Sequence, residues 1–195
     1  YYEFLPVSDL GDPSKAVPLE GVKQGVNYAM IISTSNGLWR YQIGDTVEFM
    51  SLAPYKIKIT GRTKHFINAF GEELIIDNAE TALQAACAAT GALVSDYTAG
   101  PIYMGDRSKG SHQWLIEFNR APEDMDQFTD CLDRELQHVN SDYEAKRFRD
   151  TTLMRPTVTV LSEGAFYRWM KSRGKTGGQN KVPRLCNDRT YIEQL

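Results

Sequence analysis

The sequence predicts an α+β protein in two parts, a short antiparallel strand meander followed by a compact mixed domain. Three observations predict it. From Val26 to Thr60, apolar runs of strand length alternate with turn signals, and no helical stripe interrupts them. At Gly61–Glu73 (GRTKHFINAFGEE) an arginine, a lysine and paired carboxylates gather around two turn-forming glycines. Beyond Asp77 the apolar period lengthens from two residues to helical spacing, and helices then alternate with strands to the end.

The composition is that of an ordinary globular protein, 42% apolar and 24% charged over 195 residues, enough chain to bury a core. A net charge of -3 argues against a general nucleic-acid binder. Cys87, Cys131 and Cys186 are odd in number and widely spaced, and so read as reduced and buried, not as a disulfide frame or zinc site. His65, His112 and His138 show no ligand spacing, so no protein-bound metal is expected. No apolar run approaches the roughly 18 residues of a membrane span. The opening Tyr1–Pro6 reads as the middle of a strand, and the chain is expected to be the C-terminal piece of a longer protein.

Residues 8–25 are a loop with turn signals at Gly11-Asp12-Pro13 and Glu20-Gly21. Val26–Thr34 is an apolar strand closed by Ser35-Asn36-Gly37. Leu38–Tyr41, Thr46–Met50 and Tyr55–Thr60 are three more. In the last, Tyr55, Ile57 and Ile59 alternate with lysines, which predicts one buried face. Asp77-x-x-Glu80 opens a helix with Ala79, Leu83, Ala86, Cys87 and Thr90 on one stripe, stopped by Gly91. Leu93–Tyr97 and Gln113–Phe118 are strands, with Trp114, Ile116 and Phe118 on a shared face. Pro122 at a first helical position opens an amphipathic helix through Met125, Phe128, Leu132, Leu136 and Val139. Ser141-x-x-Glu144 caps a short helix, Thr157–Leu161 is a strand, and Glu163–Arg173 packs Phe166, Trp169 and Met170 before Gly174. From residue 61 to 195 this is a domain of ordinary size.

Three stretches concentrate chemistry. In Tyr41-Gln42-Ile43-Gly44-Asp45 an acid on a turn after a strand can accept two hydrogen bonds from a ribose diol, or can simply satisfy its own backbone. In Gly61-Arg62-Thr63-Lys64-His65 a long wet side chain beside glycine suits a hinge, and equally a β-turn. Arg168–Arg189 carries seven basic residues, Lys181 among them, against the single acid Asp188. That is an anion site or a solvated helix face and tail. Gly174-Lys175-Thr176 imitates a P-loop end, but Trp169 stands where its first glycine is needed.

Taken as a set, Gly37–Asp45 (GLWRYQIGD), Gly61–Glu73 and Gly177–Arg184 (GGQNKVPR) resemble the acyl-adenylate-forming enzymes. More narrowly they resemble the bacterial branch of the auxin-responsive acyl-acid–amido synthetases, and only the C-terminal part of such an enzyme. The resemblance implies that residues 1–60 are closing strands of the large adenylation domain and 61–195 the mobile C-terminal domain. It implies Asp45 on the ribose, Tyr41 and Arg62 at the nucleotide, Lys64 as the hinge, and Lys181 as the lysine that swings in to contact the carboxylate and α-phosphate. His65, Asn68, Glu72 and Glu73 are placed at the domain junction or against substrate.

The parent would use ATP and Mg²⁺, both held mainly by upstream residues, to adenylate a carboxylic acid, and would pass the acyl group to an amino acid amine. Its partners would be those small molecules and the N-terminal domain of its own chain, with no nucleic acid and no membrane, in the cytoplasm. The 195 residues alone are expected to be inactive and to bind ATP poorly. An acid–CoA ligase of the same superfamily and a non-catalytic α+β interaction module are the alternative readings.

Overall fold

The computed structural model describes residues 1–63, 66–105, 109–175, 177 and 180–195. Contacts divide the chain into two compact units, Tyr1–Lys64 and His65–Leu195. Among the described residues no helix is long and apolar enough to cross a membrane.

The first unit is a five-stranded antiparallel sheet of β1 (Tyr2–Pro6), β2 (Val17–Pro18), β3 (Asn27–Ile32), β4 (Tyr41–Leu52) and β5 (Tyr55–Arg62), in the order β2-β1-β3-β4-β5. Its core is aromatic. Phe4, Tyr28 and Phe49 meet edge-to-face, with Phe4 and Phe49 ring centroids 5.0 Å apart, and Val22 and Val47 fill around them.

Two sequence expectations are corrected here. Leu38–Tyr41 and Thr46–Met50 are not separate strands. Leu38, Trp39 and Arg40 form an exposed connection, and a single strand then runs from Tyr41 to Leu52. The connection extends to Arg40 because that residue is pinned at φ 44. Its amide donates to Ser33 Oγ at 3.0 Å, and its guanidinium donates to Glu3 at 3.1 Å and to the Pro13 carbonyl at 3.0 Å. The second correction concerns β5, where Tyr55, Ile57 and Ile59 are all exposed, Ile59 to 69%. Alternation places them on one face as expected, but that face of the last strand is left uncovered.

The second unit is built on a three-stranded sheet, order β10-β9-β8, of β8 (Leu93–Ile102), β9 (Ser111–Arg120) and β10 (Thr157–Leu161). β8 and β9 are antiparallel, and β10 runs parallel to β9. A parallel neighbour needs a crossover, and here it is helical: α2 (Met125–Val139) and α3 (Ser141–Arg147) lie between β9 and β10. A short pair, β6 (Phe66–Ile67) and β7 (Leu74–Ile75), leads into α1 (Ile76–Thr90), and α4 (Ala165–Ser172) follows β10.

Alternation along β9 builds two cores. Trp114 and Ile116 face Ala79, Leu83 and Ala86 of α1 and Phe128, Leu132 and Leu136 of α2, whereas Leu115 packs with Phe166, Trp169 and Met170 of α4. The helical stripes are those expected, with Ala82 added. The caps differ from expectation. α1 begins at Ile76, so Asn78 and not Glu80 stands at the third helical position and closes the start by accepting from the Ile75 amide, while Glu80 accepts from the Tyr97 hydroxyl. α2 begins three residues after Pro122, at Met125, where Asp124 accepts from the Gln127 amide. α3 is capped by Asn140, which accepts from the Tyr143 amide, and not by Ser141. α4 spans Ala165–Ser172, shorter than Glu163–Arg173, and closes through the left-handed Gly174 with Lys175 N–H donating to the Met170 carbonyl at 3.0 Å.

Candidate functional site

The sequence-predicted residues fall into three local clusters. The first lies on β4 and β5. The turn expected at Gly44-Asp45 is instead a bulge within β4, where pairing with β3 shifts register and Gly44 takes φ 90. The Gly44 carbonyl accepts from the Thr63 amide at 2.8 Å, and Asp45 comes directly opposite Arg62. The Arg62 guanidinium donates to the Asp45 carboxylate at 2.9 Å. On the same strands the buried Thr60 hydroxyl lies 2.6 Å from Asn27 Oδ1 and 3.0 Å from the buried Thr46 Oγ1. The Asp45 side chain is 35% exposed and that of Arg62 60%. So open an ion pair is worth only about 0–1 kcal/mol, which leaves both groups available to a ligand that offers hydroxyls and phosphate. Tyr41, at the start of the same strand, is exposed. Lys64 and His65 lie outside the described residues.

The second cluster is the turn Asn68–Glu73, and it faces inward. The Asn68 amide donates to Asn187 of the C-terminal tail at 2.7 Å, and its side chain accepts from the Glu73 amide at 3.1 Å. Glu73 holds a left-handed φ of 41, and its carbonyl, with that of Glu72, accepts from Asn140. The Glu72 side chain is fully buried. Oε2 accepts from the Phe70 amide at 2.7 Å, and Oε1 lies 2.7 Å from Nε2 of an equally buried His112. Burial alone would raise the Glu72 carboxyl; the hydrogen bond and charge of His112, with the Phe70 amide, outweigh it and hold the group below the ordinary value of 4.5. With both its oxygens taken inside the unit, Glu72 has no oxygen left to offer a substrate. His112, whose position in the sequence matches no ligand spacing, is its partner. Its place just before the apolar run Trp114-Leu115-Ile116 of a strand was the local mark of a buried histidine.

Lys181 belongs to the third cluster. It is exposed and lines a cleft of about 490 Å³ bounded by β8, β9, α4 and the segment beyond Gly174. Asp96, Glu117, Phe166, Lys175 and Arg184 share that wall. Glu117 is committed to α4, accepting from the amides of Gly164 at 2.7 Å and Phe166 at 3.2 Å. Asp96 is paired with Arg184; burial pushes its carboxyl up and the guanidinium pulls it part of the way back. Gln179, which precedes Lys181 in the expected signature, lies outside the described residues. Asp45 and Lys181 belong to different units of the chain.

Among the described residues no three His, Cys, Asp or Glu side chains gather as a metal site would require.

The profile of the GH3 family central domain matches residues 1–62, and that of the GH3 family C-terminal domain matches residues 77–190. A probable indole-3-acetic acid-amido synthetase GH3.1 from Oryza sativa subsp. japonica is 28% identical over 216 residues, covering all of this chain and 34% of the rice protein. The 4-substituted benzoates-glutamate ligase GH3.12 of Arabidopsis thaliana is 26% identical over 215 residues, again across the whole chain and 36% of the relative. The chain therefore spans about a third of the length of the curated relatives it matches. A solved structure, the GH3.15 acyl acid amido synthetase, superposes over the full chain with a TM-score of 0.71 at 23% identity, a shared fold. With its first 62 residues in the central domain and more than half its length in the C-terminal one, the chain belongs to the GH3 family.

Proposed function

We propose that this chain is the closing third of an ATP-dependent ligase that joins a carboxylic acid to an amino acid. The observation that carries the reading is that acyl-acid amido synthetases and a benzoate–glutamate ligase match the chain along its whole length. The local geometry supports it. In the proposed reaction a carboxylate oxygen attacks the α-phosphorus of ATP and pyrophosphate leaves, forming an acyl-adenylate. The amine nitrogen then attacks the acyl carbon and loses a proton, and AMP leaves.

Asp45, held at the β4 bulge, is the acceptor for the ribose hydroxyls; Arg62 exchanges its solvent-open pair with Asp45 for the nucleotide, and Tyr41 flanks them. Lys181 supplies positive charge at the α-phosphate as pyrophosphate departs. Lys64 is the hinge between residues 1–60, closing the adenylation domain, and residues 61–195, with Asn68 and Glu73 bracing the junction. Mg²⁺, held mainly by upstream residues, would neutralise phosphate charge in such a reaction; among the described residues no three His, Cys, Asp or Glu side chains gather to hold it. The match to the rice protein extends over more positions than this chain has residues, so the plant protein carries insertions; this favours the leaner bacterial branch. Three free cysteines favour a cytoplasmic setting.

The test is acid-dependent ATP–pyrophosphate exchange by the full-length parent against a panel of carboxylic acids, beside Lys181→Ala and Asp45→Asn. Exchange that falls about 10²-fold or more with Lys181→Ala is the expected result, the scale of losing a charge-stabilising group. Exchange unaffected by either substitution would overturn the assignment. Consumption of the adenylate by CoA and not by amino acids would replace amide formation by thioester formation.

A further inference from the structure

The segment that carries Lys181 starts at the closed end of α4 and ends on the free edge of the three-stranded sheet. Its start is fixed by the Gly174–Lys175 closure onto Lys171 and Met170. Its end is fixed by main-chain pairing with β8. The Thr98 hydroxyl donates to the Pro183 carbonyl at 2.7 Å, the Ala99 amide to the Arg184 carbonyl at 2.9 Å, and the Cys186 amide to the Ala99 carbonyl at 3.0 Å. Leu185, fully buried, sits in this added register as a strand residue would.

Arg184 is the side chain that locks this edge. Successive β8 residues point to opposite faces of the sheet, so Asp96 and Tyr97 diverge, Asp96 toward the cleft and Tyr97 toward α1. From the edge, one guanidinium reaches both. It donates to the Asp96 carboxylate, lies over the Tyr97 ring with Cζ 4.7 Å from the centroid, and comes within 3.7 Å of Glu80 on α1. Tyr97 in turn donates its hydroxyl to Glu80 at 3.0 Å. A planar fork that stacks and bonds at once is arginine chemistry that lysine cannot reproduce. The anchor stands three residues from Lys181, with Pro183 removing one degree of freedom between them.

We propose that Arg184, clamped by Asp96, Tyr97 and Glu80 across the β8 edge, is a positioning residue that sets where Lys181 can reach. It touches no substrate and acts through the lysine. The proposal rests on the role given to Lys181 above, and its test separates the two.

In the full-length parent, Arg184→Gln should lower kcat of ATP–pyrophosphate exchange about tenfold or more, with KM for ATP and acid within about twofold. Arg184→Lys should fall between that and the parent. The decisive measurement is the pair Arg184→Gln/Lys181→Ala. A residue acting only through Lys181 adds no further loss to Lys181→Ala, because groups that act as a unit are non-additive. A second measurement needs no activity. In the 195-residue chain, Arg184→Gln should speed hydrogen exchange of the Ala99 and Cys186 amides about tenfold or more while the α1 and α2 amides keep their rates. Full additivity of the two substitutions, or unchanged exchange at Ala99 and Cys186, would overturn the proposal. Loss of all activity on Lys181→Ala with none on Arg184→Gln would leave the lysine's role standing and remove Arg184's.

Discussion

Replacing Glu72 by alanine should strongly destabilise the second unit. The substitution removes two short hydrogen bonds, to the Phe70 amide and to His112, each 2.7 Å long. His112 Nδ1 already has no partner, so its buried ring would be left without any hydrogen bond. Stranding a buried polar group costs about 1–3 kcal/mol and the side-chain volume lost beside it adds to that, a large share of the roughly 5–15 kcal/mol a domain has. Urea unfolding followed by fluorescence reports it, since Trp114 and Trp169 are both buried in this unit.

Glu72→Gln keeps the shape and one acceptor and should cost about 1–2 kcal/mol, the scale of a single hydrogen bond. Glu72→Ala/His112→Leu should cost less than its two single changes summed, with a coupling of about 1–3 kcal/mol. The sign of the pH dependence follows from the depressed carboxyl. Its stabilisation is whole above the ordinary value of 4.5 and is lost as pH falls through the lower folded-state value. Glu72→Gln has no such carboxyl to protonate, so the gap between it and the parent should narrow below about pH 4. A Glu72→Ala cost under about 1 kcal/mol, or strict additivity with His112→Leu, would refute the reasoning.

Two further outcomes follow from packing and burial. Gly100→Ala in β8 should destabilise by about 1–3 kcal/mol in the same assay, because the new Cβ would sit 2.9 Å from the Asp188 carbonyl and 3.1 Å from Ile192 Cγ1, and backbone cannot step aside. Burial and a hydrogen bond to Asp188 push the Cys186 thiol up to about 11. In the folded chain at pH 8 it should alkylate about 10²-fold more slowly than an unperturbed thiol, read by peptide mapping after iodoacetamide.

How far the residues themselves disclosed this depends on the range of each signal. The helix stripes through Ala79–Ala86 and Phe128–Leu136, the strand Thr157–Leu161 and the stop at Gly174 are carried by neighbours within a turn or two, and local periodicity and capping read them directly. Even there, the helix starts moved. The first helix begins at Ile76, ahead of Asp77, the second at Met125 behind Asp124, and Asn140 in place of Ser141 accepts at the start of the third. The three motif stretches also stood out locally, as departures of charge and glycine from their surroundings.

What only the tertiary structure decided is every contact that closes over distance. Glu72 and His112 are 40 residues apart, and Thr98 and Pro183 are 85. Neither residue of either pair carries a local mark of the other. The bulge that sets Asp45 against Arg62 required β3, β4 and β5 to be in register, and register is fixed by packing one face of a sheet, not by a strand's own sequence. By the same physics the apolar face of Tyr55, Ile57 and Ile59 reads as buried in sequence and lies open here. Alternation says which residues share a face, and only the neighbouring elements decide whether that face is covered.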